Sequence, residues 1–421
     1  MVDDELRKAE GTLGLREDAS IIATPDVARV VQAAPVKEPE TPGEWIKLNL
    51  FSGPLNGILS VISIVLVIFA ATKLFDFVFI DGSWQVIRTN MKGYMVGPVP
   101  IEQVWRIWLS LYLVTCLGGF SLGAVGRPPT LTTRKRVIAV LVAIAVAALI
   151  LFVTTTFLAR ALAFMVPVAV GAAYALGRSV GPGARSMLRI AWLLWFPLTL
   201  LIIRGFDGIP PRLWGGFFFN LIAAVVAIFA SFPIGIALAL GRRSSFPAIR
   251  LFCVVIIEVF RGAPLVGWLI FAKYGLEFLL PPDMELPDII KALMMMTMFS
   301  AAYIAEIVRG GLQGVSDGQY EAAKAIGLST TRMMALIILP QALRSTIPAL
   351  ISHFISLFKD TALFAALEVT ELLSAASRLG LEFLGEEAQT LTFAALLFWM
   401  VAFSMSRWSQ RLEVRLGVGE R

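Results

Sequence analysis

Residues 315–340 read VSDGQYEAAKAIGLSTTRMMALIILP, a polar, turn-rich stretch set between two apolar blocks. Ser316 and Gln319 have the spacing of a capping box that starts a helix. Gly327 suits the left-handed residue that ends one, and Ser329 or Thr330 can cap the next. That second helix runs toward Ile337-Ile338-Leu339-Pro340, where apolar sequence resumes. Ala322, Ala323 and Ala325 would let another surface approach closely. Tyr320 and Ile326 offer apolar anchors, and Glu321 a fixed charge. On these residues alone two readings stand: a docking element, or an amphipathic surface helix without a partner.

The surrounding sequence belongs in a membrane. Of 421 residues 57% are hydrophobic and only 16% charged, with a mean hydropathy of +0.79, too apolar for a soluble chain of this length. Apolar blocks near the length that crosses a bilayer fall at 56–80, 104–126, 137–158, 161–177, 187–204, 214–241, 250–280, 288–309, 336–358 and 390–406. These predict an all-α polytopic membrane protein of about 8–10 spans. The range reflects the third and fourth blocks, parted only by Ala159-Arg160.

Basic residues cluster in alternate loops: Arg127, Arg134, Lys135 and Arg136; Arg178, Arg185 and Arg189; Arg242, Arg243 and Arg250; Arg309, Lys324 and Arg332; Arg407, Arg411, Arg415 and Arg421. The positive-inside rule then puts both termini and the 315–340 loop in the cytoplasm. The net charge of +6 is spread over span ends, so no nucleic-acid face is expected. Trp45, Trp84, Trp105, Trp214 and Trp408 sit where interfacial anchors would. Residues 1–44 are polar and proline-containing, without a signal peptide pattern, and read as a mobile tail. Cys116 and Cys253 read as buried thiols in separate spans, and His353, mid-span without partner ligands, as a helix-contact residue rather than a metal ligand.

The run Glu321-Ala322-Ala323, then Gly327, then Ile337-x-Leu339-Pro340 resembles the EAA signature of ABC importer permeases at every position. In that family the signature forms a coupling helix seated in a groove of the cytoplasmic ATPase. Flanking stretches are similar to the polar amino-acid permease branch: Gly215-Gly216-Phe217, Pro233 to Ser244, Ile257 to Leu265, Ala302 to Gly311, and Phe358-Lys359-Asp360-Thr361. Residues 213–408 resemble that family's five-span core throughout. Asn49 to Asn56 and the added spans resemble the long permease of general L-amino-acid importers. Asn220 stands where the family usually has threonine.

The resemblance implies a type I ABC importer transmembrane fold with extra N-terminal helices. Its expected layout is a largely disordered cytoplasmic tail (1–50), the extra helices (51–210), the permease core (211–409) with the coupling loop at 315–340, and a cytoplasmic tail (410–421). Implied partners are an ABC ATPase dimer, a second and shorter permease, a periplasmic or surface substrate-binding protein, membrane lipid and an L-amino acid. The implied location is the bacterial inner membrane. ATPase coupling falls to Tyr320, Glu321, Ala322, Ala323, Gly327, Ile337, Leu339 and Pro340.

No G-x-x-x-x-G-K-[ST] occurs in the chain, so no cofactor is expected here, ATP and Mg belong on the partner ATPase, and the chain is a transport subunit rather than an enzyme. Charged residues within spans are costly and therefore informative. Glu258 with Arg261, and Glu306 with Arg309, are spaced to pair on one helix face. Either each pair pins helices near an inner gate or the charges meet the zwitterion of an amino acid. Lys359, Asp360 and Thr361 are structural or line an outer gate. Gly262 and Pro264 should break the seventh span, with Pro340 and Pro348 shaping the ninth. Met294 to Met298 reads as adaptable packing. Glu371, Glu382, Glu386 and Glu387 read as an acidic outer face, solvated or contacting the binding protein. The rival class is an ion-gradient-driven secondary amino-acid transporter, which predicts repeated halves with facing unwound helices; no such repeat is visible.

Overall fold

The computed structural model describes residues 41–125, 156–180, 185–281, 284, 286–383 and 385–416. The 137–158 block therefore lies almost wholly outside the described residues, as do the tail to residue 40, Asp283 and Glu285 of the 281–287 loop, and residues 417–421. The chain divides into two compact units, Met1–Gly82 and Ser83–Arg421.

In the first unit, helix α1 (Pro42–Asn49) starts where the sequence suggests a tail reaching to residue 50. Thr41 caps it, its hydroxyl accepting from the Glu44 amide at 3.3 Å, and Pro42 takes the position where a missing N–H costs nothing. Helix α2 (Pro54–Phe75) has no buried residue, as a lipid-facing span would.

The second unit holds α3 (Val104–Val125), α4 (Phe157–Val180) and α5 (Arg185–Arg204). Then come α6 (Gly216–Gly241), α7 (Pro247–Gly262), α8 (Leu265–Ile270) and α9 (Asp288–Gln313). The chain closes with α10 (Asp317–Ala325), α11 (Leu339–Asp360), α12 (Leu372–Glu382) and α13 (Glu387–Leu416). Among the described residues eight helices are long and apolar enough to cross a membrane, and the bent pair α7–α8 makes a ninth if counted as one span.

The core is built on α6, α9 and α11. One apolar cluster joins Phe219 and Ala223 of α6 to Leu293 and Met296 of α9 and Leu357 of α11. A second joins Leu238 and Ala239 to Ile304 and Val308 and to Ala342. Early residues of α6 thus meet early residues of α9 and late residues of α11, so α6 and α9 run parallel and α11 runs back between their ends. Between α7 and α8 the axis turns by 102°. Pro264 supplies the cause, because it restricts Ala263 to an extended backbone (φ −124°, ψ 151°) and cannot donate to the preceding turn.

The added helices dock through close contacts. Side chains at Gly119, Gly123 or Gly177 would collide with carbonyl oxygens of Val170, Tyr174 and Phe120, so α3 and α4 cross with their backbones touching. Arg106 of α3 donates to the carbonyls of Ile202 (2.6 Å), Gly205 (2.9 Å) and Phe206 (3.1 Å), satisfying the end of α5. Phe196 of α5 stacks on Phe229 of α6 with centroids 5.5 Å apart, joining the addition to the core. Trp214 departs from the interfacial reading: it is buried, with its indole N–H on the Ile209 carbonyl at 2.9 Å.

Candidate functional site

One face of α9 carries Ser300, Tyr303, Glu306 and Arg309, spaced to line up along a helix, with Gln313 continuing the row. Ser300 donates to Ser231 of α6 at 3.0 Å and lies 2.9 Å from Nε2 of His353 on α11. His353 in turn stacks on Tyr303, centroids 5.8 Å apart and planes 14° apart, which bears out its reading as a helix-contact residue. The Arg261 guanidinium lies 5.5 Å from the centre of the same ring.

Below Tyr303 the charges converge. Glu306 accepts from Arg242 (2.6 Å) and from Nε and Nη2 of Arg309 (3.0 and 2.7 Å), with Arg261 at 3.6 Å. Arg242 also reaches Glu258 at 3.1 Å, and Arg309 donates to Gln313 at 3.0 Å. The expected Glu306–Arg309 pair therefore forms, whereas Glu258 and Arg261 do not pair with each other. Arg242, at the end of α6, takes Glu258, and Arg261 turns toward Glu306 and Tyr303. In sequence Arg242 reads as an orientation signal and as part of the Pro233 to Ser244 stretch, not as an ion-pair partner; its partners lie 16 and 64 residues away.

The next residue, Arg243, faces the 315–340 loop. It donates to the Tyr320 hydroxyl at 3.2 Å and lies over that ring, while Tyr320 donates to the Leu312 carbonyl at 3.2 Å. Helix α10 does start after Ser316, but the predicted capping box does not form. The Ser316 side chain makes no cap bond, and Gln319 instead accepts from Gln341 at 3.0 Å. Gly327 ends the helix as expected. Its φ of +75° lets its amide reach Lys324 O (2.9 Å) and the Leu328 amide reach Ala323 O (3.1 Å), the paired bonds of a Schellman motif.

The eight loop positions separate into two sets. Tyr320 and Ala323 face the chain's own core, with Ala323 buried, and Ile337 and Leu339 pack partly against the same cluster. Glu321, Ala322, Gly327 and Pro340 are exposed, together with Ile326 at 72%. Ala323 is thus small for the sake of its own core, and Tyr320 is an internal anchor.

At the opposite end of α6 the structure reveals a buried polar node. Asn220 donates to Thr361 (3.0 Å) and to Glu371 (3.1 Å), and its carbonyl accepts from the Leu372 amide (3.1 Å). Glu371 caps α12, accepting from the amides of Leu373 (2.7 Å) and Ser374 (2.6 Å). It is fully buried, so it belongs to no solvated acidic face. Burial pushes its carboxyl above the usual range, against those amides and Asn220, which act to lower it. Of the three outer-gate candidates, Thr361 enters this node, Asp360 is half-buried and Lys359 is exposed. Backbones also cross here: the Gly216 amide bonds Thr370 O at 2.8 Å, and a side chain at Gly97 would come within 2.8 Å of the Gly215 backbone.

Residues 231–418 match the family described as binding-protein-dependent transport system inner membrane component. Over 401 residues the chain is 31% identical to the inner membrane amino-acid ABC transporter permease protein YhdY of Escherichia coli (strain K12), covering 89% of this chain and 93% of that protein. It is 33% identical over 442 residues to the glutamate/glutamine/aspartate/asparagine transport system permease protein BztC of Rhodobacter capsulatus, covering 95% and 98%. Both likenesses extend past the core into the added helices. A solved structure, the crystal structure of an amino acid ABC transporter with histidines, is 28% identical with a TM-score of 0.43, covering 48% of this chain and 92% of that one.

Proposed function

The chain belongs to the family of binding-protein-dependent transport system inner membrane components, the permeases of ABC importers, and from that premise we propose that it carries L-amino acids. Whole-length likeness to two amino-acid permeases, one named for glutamate, glutamine, aspartate and asparagine, supports polar amino acids as cargo. The translocation path forms between this chain and a second permease, a binding protein delivers cargo from outside, and ATP with its Mg²⁺ is held by a separate ATPase. Alternating basic loops support cytoplasmic termini and a cytoplasmic α10.

The adjacent arginines at the end of α6 carry this reading. Arg242 holds Glu258 and Glu306 on the polar face, and Arg243 holds Tyr320 of the loop. A pull on α10 therefore reaches the charged cluster through two neighbouring side chains. Glu321, Ala322, Ile326 and Gly327 form the surface that meets the ATPase, and Tyr320, Ala323, Ile337 and Leu339 fasten that surface to the core. Glu258, Arg261, Glu306 and Arg309 form an inner gate, with the Thr361 node as the outer counterpart.

Ala322→Arg and Ile326→Asp test the docking surface, since both positions are exposed. Surface changes of this kind typically shift stability by no more than about 0.5 kcal/mol. Expected is loss of ATPase co-purification with an unchanged melting temperature; an ATPase retained by both variants refutes the surface.

A further inference from the structure

The five charges of the cluster are unequally engaged. Arg242 and Arg309 spend their donors on Glu258, Glu306 and Gln313. Arg261 donates no hydrogen bond to any described residue: its contacts are Glu306 at 3.6 Å and the Tyr303 ring, and its Nε is buried without a partner. A buried, unsatisfied guanidinium N–H is costly and invites an acceptor. Three arginines face two glutamates, so the cluster has room for one more negative charge. The Arg261 side chain is one-third exposed, at 33%, and so can be reached. It sits one residue before the break at Gly262–Pro264, where an interrupted helix lines a cavity more readily than it meets lipid.

We propose that Arg261 is the carboxylate receptor of the translocation path, taking the α-carboxylate of the passing amino acid in a two-pronged bond while Tyr303 supports the guanidinium plane. A planar fork matches a carboxylate bidentately, and an aromatic face beneath it holds its orientation. Glu306, already satisfied by Arg242 and Arg309, is close enough to keep the site from holding its anion too tightly. This assignment rests on the amino-acid permease reading. A lipid phosphodiester shares the same anionic chemistry, and the experiment separates the two sources.

The complex of both permeases and the ATPase, without binding protein or nucleotide, is placed in phosphatidylcholine nanodiscs. Equilibrium binding is measured for tritiated L-glutamate, L-glutamine, L-aspartate and L-asparagine, and for the α-amide of whichever binds best. Arg261→Gln is expected to weaken the amino acid by at least about tenfold, the scale of one charge-assisted bond, while the amide binds both proteins equally weakly. Arg261→Lys, which keeps charge without the fork, should fall between and serves where the glutamine variant fails to assemble. Unchanged discrimination between acid and amide in these variants overturns the assignment. So does a variant that keeps amino-acid affinity but loses the response to added phosphatidylglycerol, which marks a lipid phosphate instead. ATP-driven uptake by complete proteoliposomes without measurable binding overturns Arg261 alone. Neither uptake nor binding of any of the four overturns the amino-acid reading itself.

Discussion

Asn220 fastens three elements at once, and its replacement should be felt in all of them. Asn220→Ala strips donors from Thr361 and Glu371 and the acceptor from the Leu372 amide, leaving polar groups unpaired in a buried site. Such a loss costs about 2–3 kcal/mol, a clear drop in melting temperature of the purified protein. Glu371 adds a pH dependence. Its folded carboxyl titrates above its ordinary value of 4.5, so the folded state holds a proton that the unfolded chain releases. The stability this adds is complete below 4.5 and is lost as pH rises through the folded value. Melting temperature should therefore decline across that window in the native protein, and Glu371→Gln should flatten the decline. An unchanged slope would mean that Asn220, the Leu373 and Ser374 amides and the Ser374 hydroxyl (2.9 Å) hold Glu371 ionised. Little of this node is legible in sequence. Asn220 stands out only as a departure from threonine, and its partners lie 141 and 151 residues away.

Elements were legible wherever local chemistry dominates. The break at Pro264, the stop at Gly327 and the length of α9 follow from residues next to them. Where a local bond met a distant one, the local expectation failed. Glu258, half-exposed, takes Arg242 at 3.1 Å from the end of α6, while Arg261 on its own helix is drawn to Glu306 at 3.6 Å and to the Tyr303 ring. The capping box at Ser316 gave way likewise to Gln341, which engages Gln319 across the loop. The α3–α4 crossing depends on the opposite quality, the absence of side chains. Gly123→Leu should force these helices apart, and faster proteolysis within 104–180 than in Gly118→Leu, a site with open space, would report it. Equal rates for the two variants would refute backbone contact as the basis of the pairing.

For the whole molecule, membrane class and permease membership were readable because composition and a spaced motif survive without coordinates. The polar face of α9 was not readable as a unit, since it draws its partners from α6, α7 and α11, far apart in sequence. The central proposal is that energy enters at α10 and acts on that face through Arg242 and Arg243, which contact Glu258, Glu306 and Tyr320. The most direct test is uptake of labelled amino acid by proteoliposomes holding both permeases, the ATPase and the binding protein, with ionophores collapsing every ion gradient. Uptake should require ATP inside, persist under ionophores, and vanish with Ile326→Asp. Uptake that follows an ion gradient in vesicles lacking the ATPase would contradict the account.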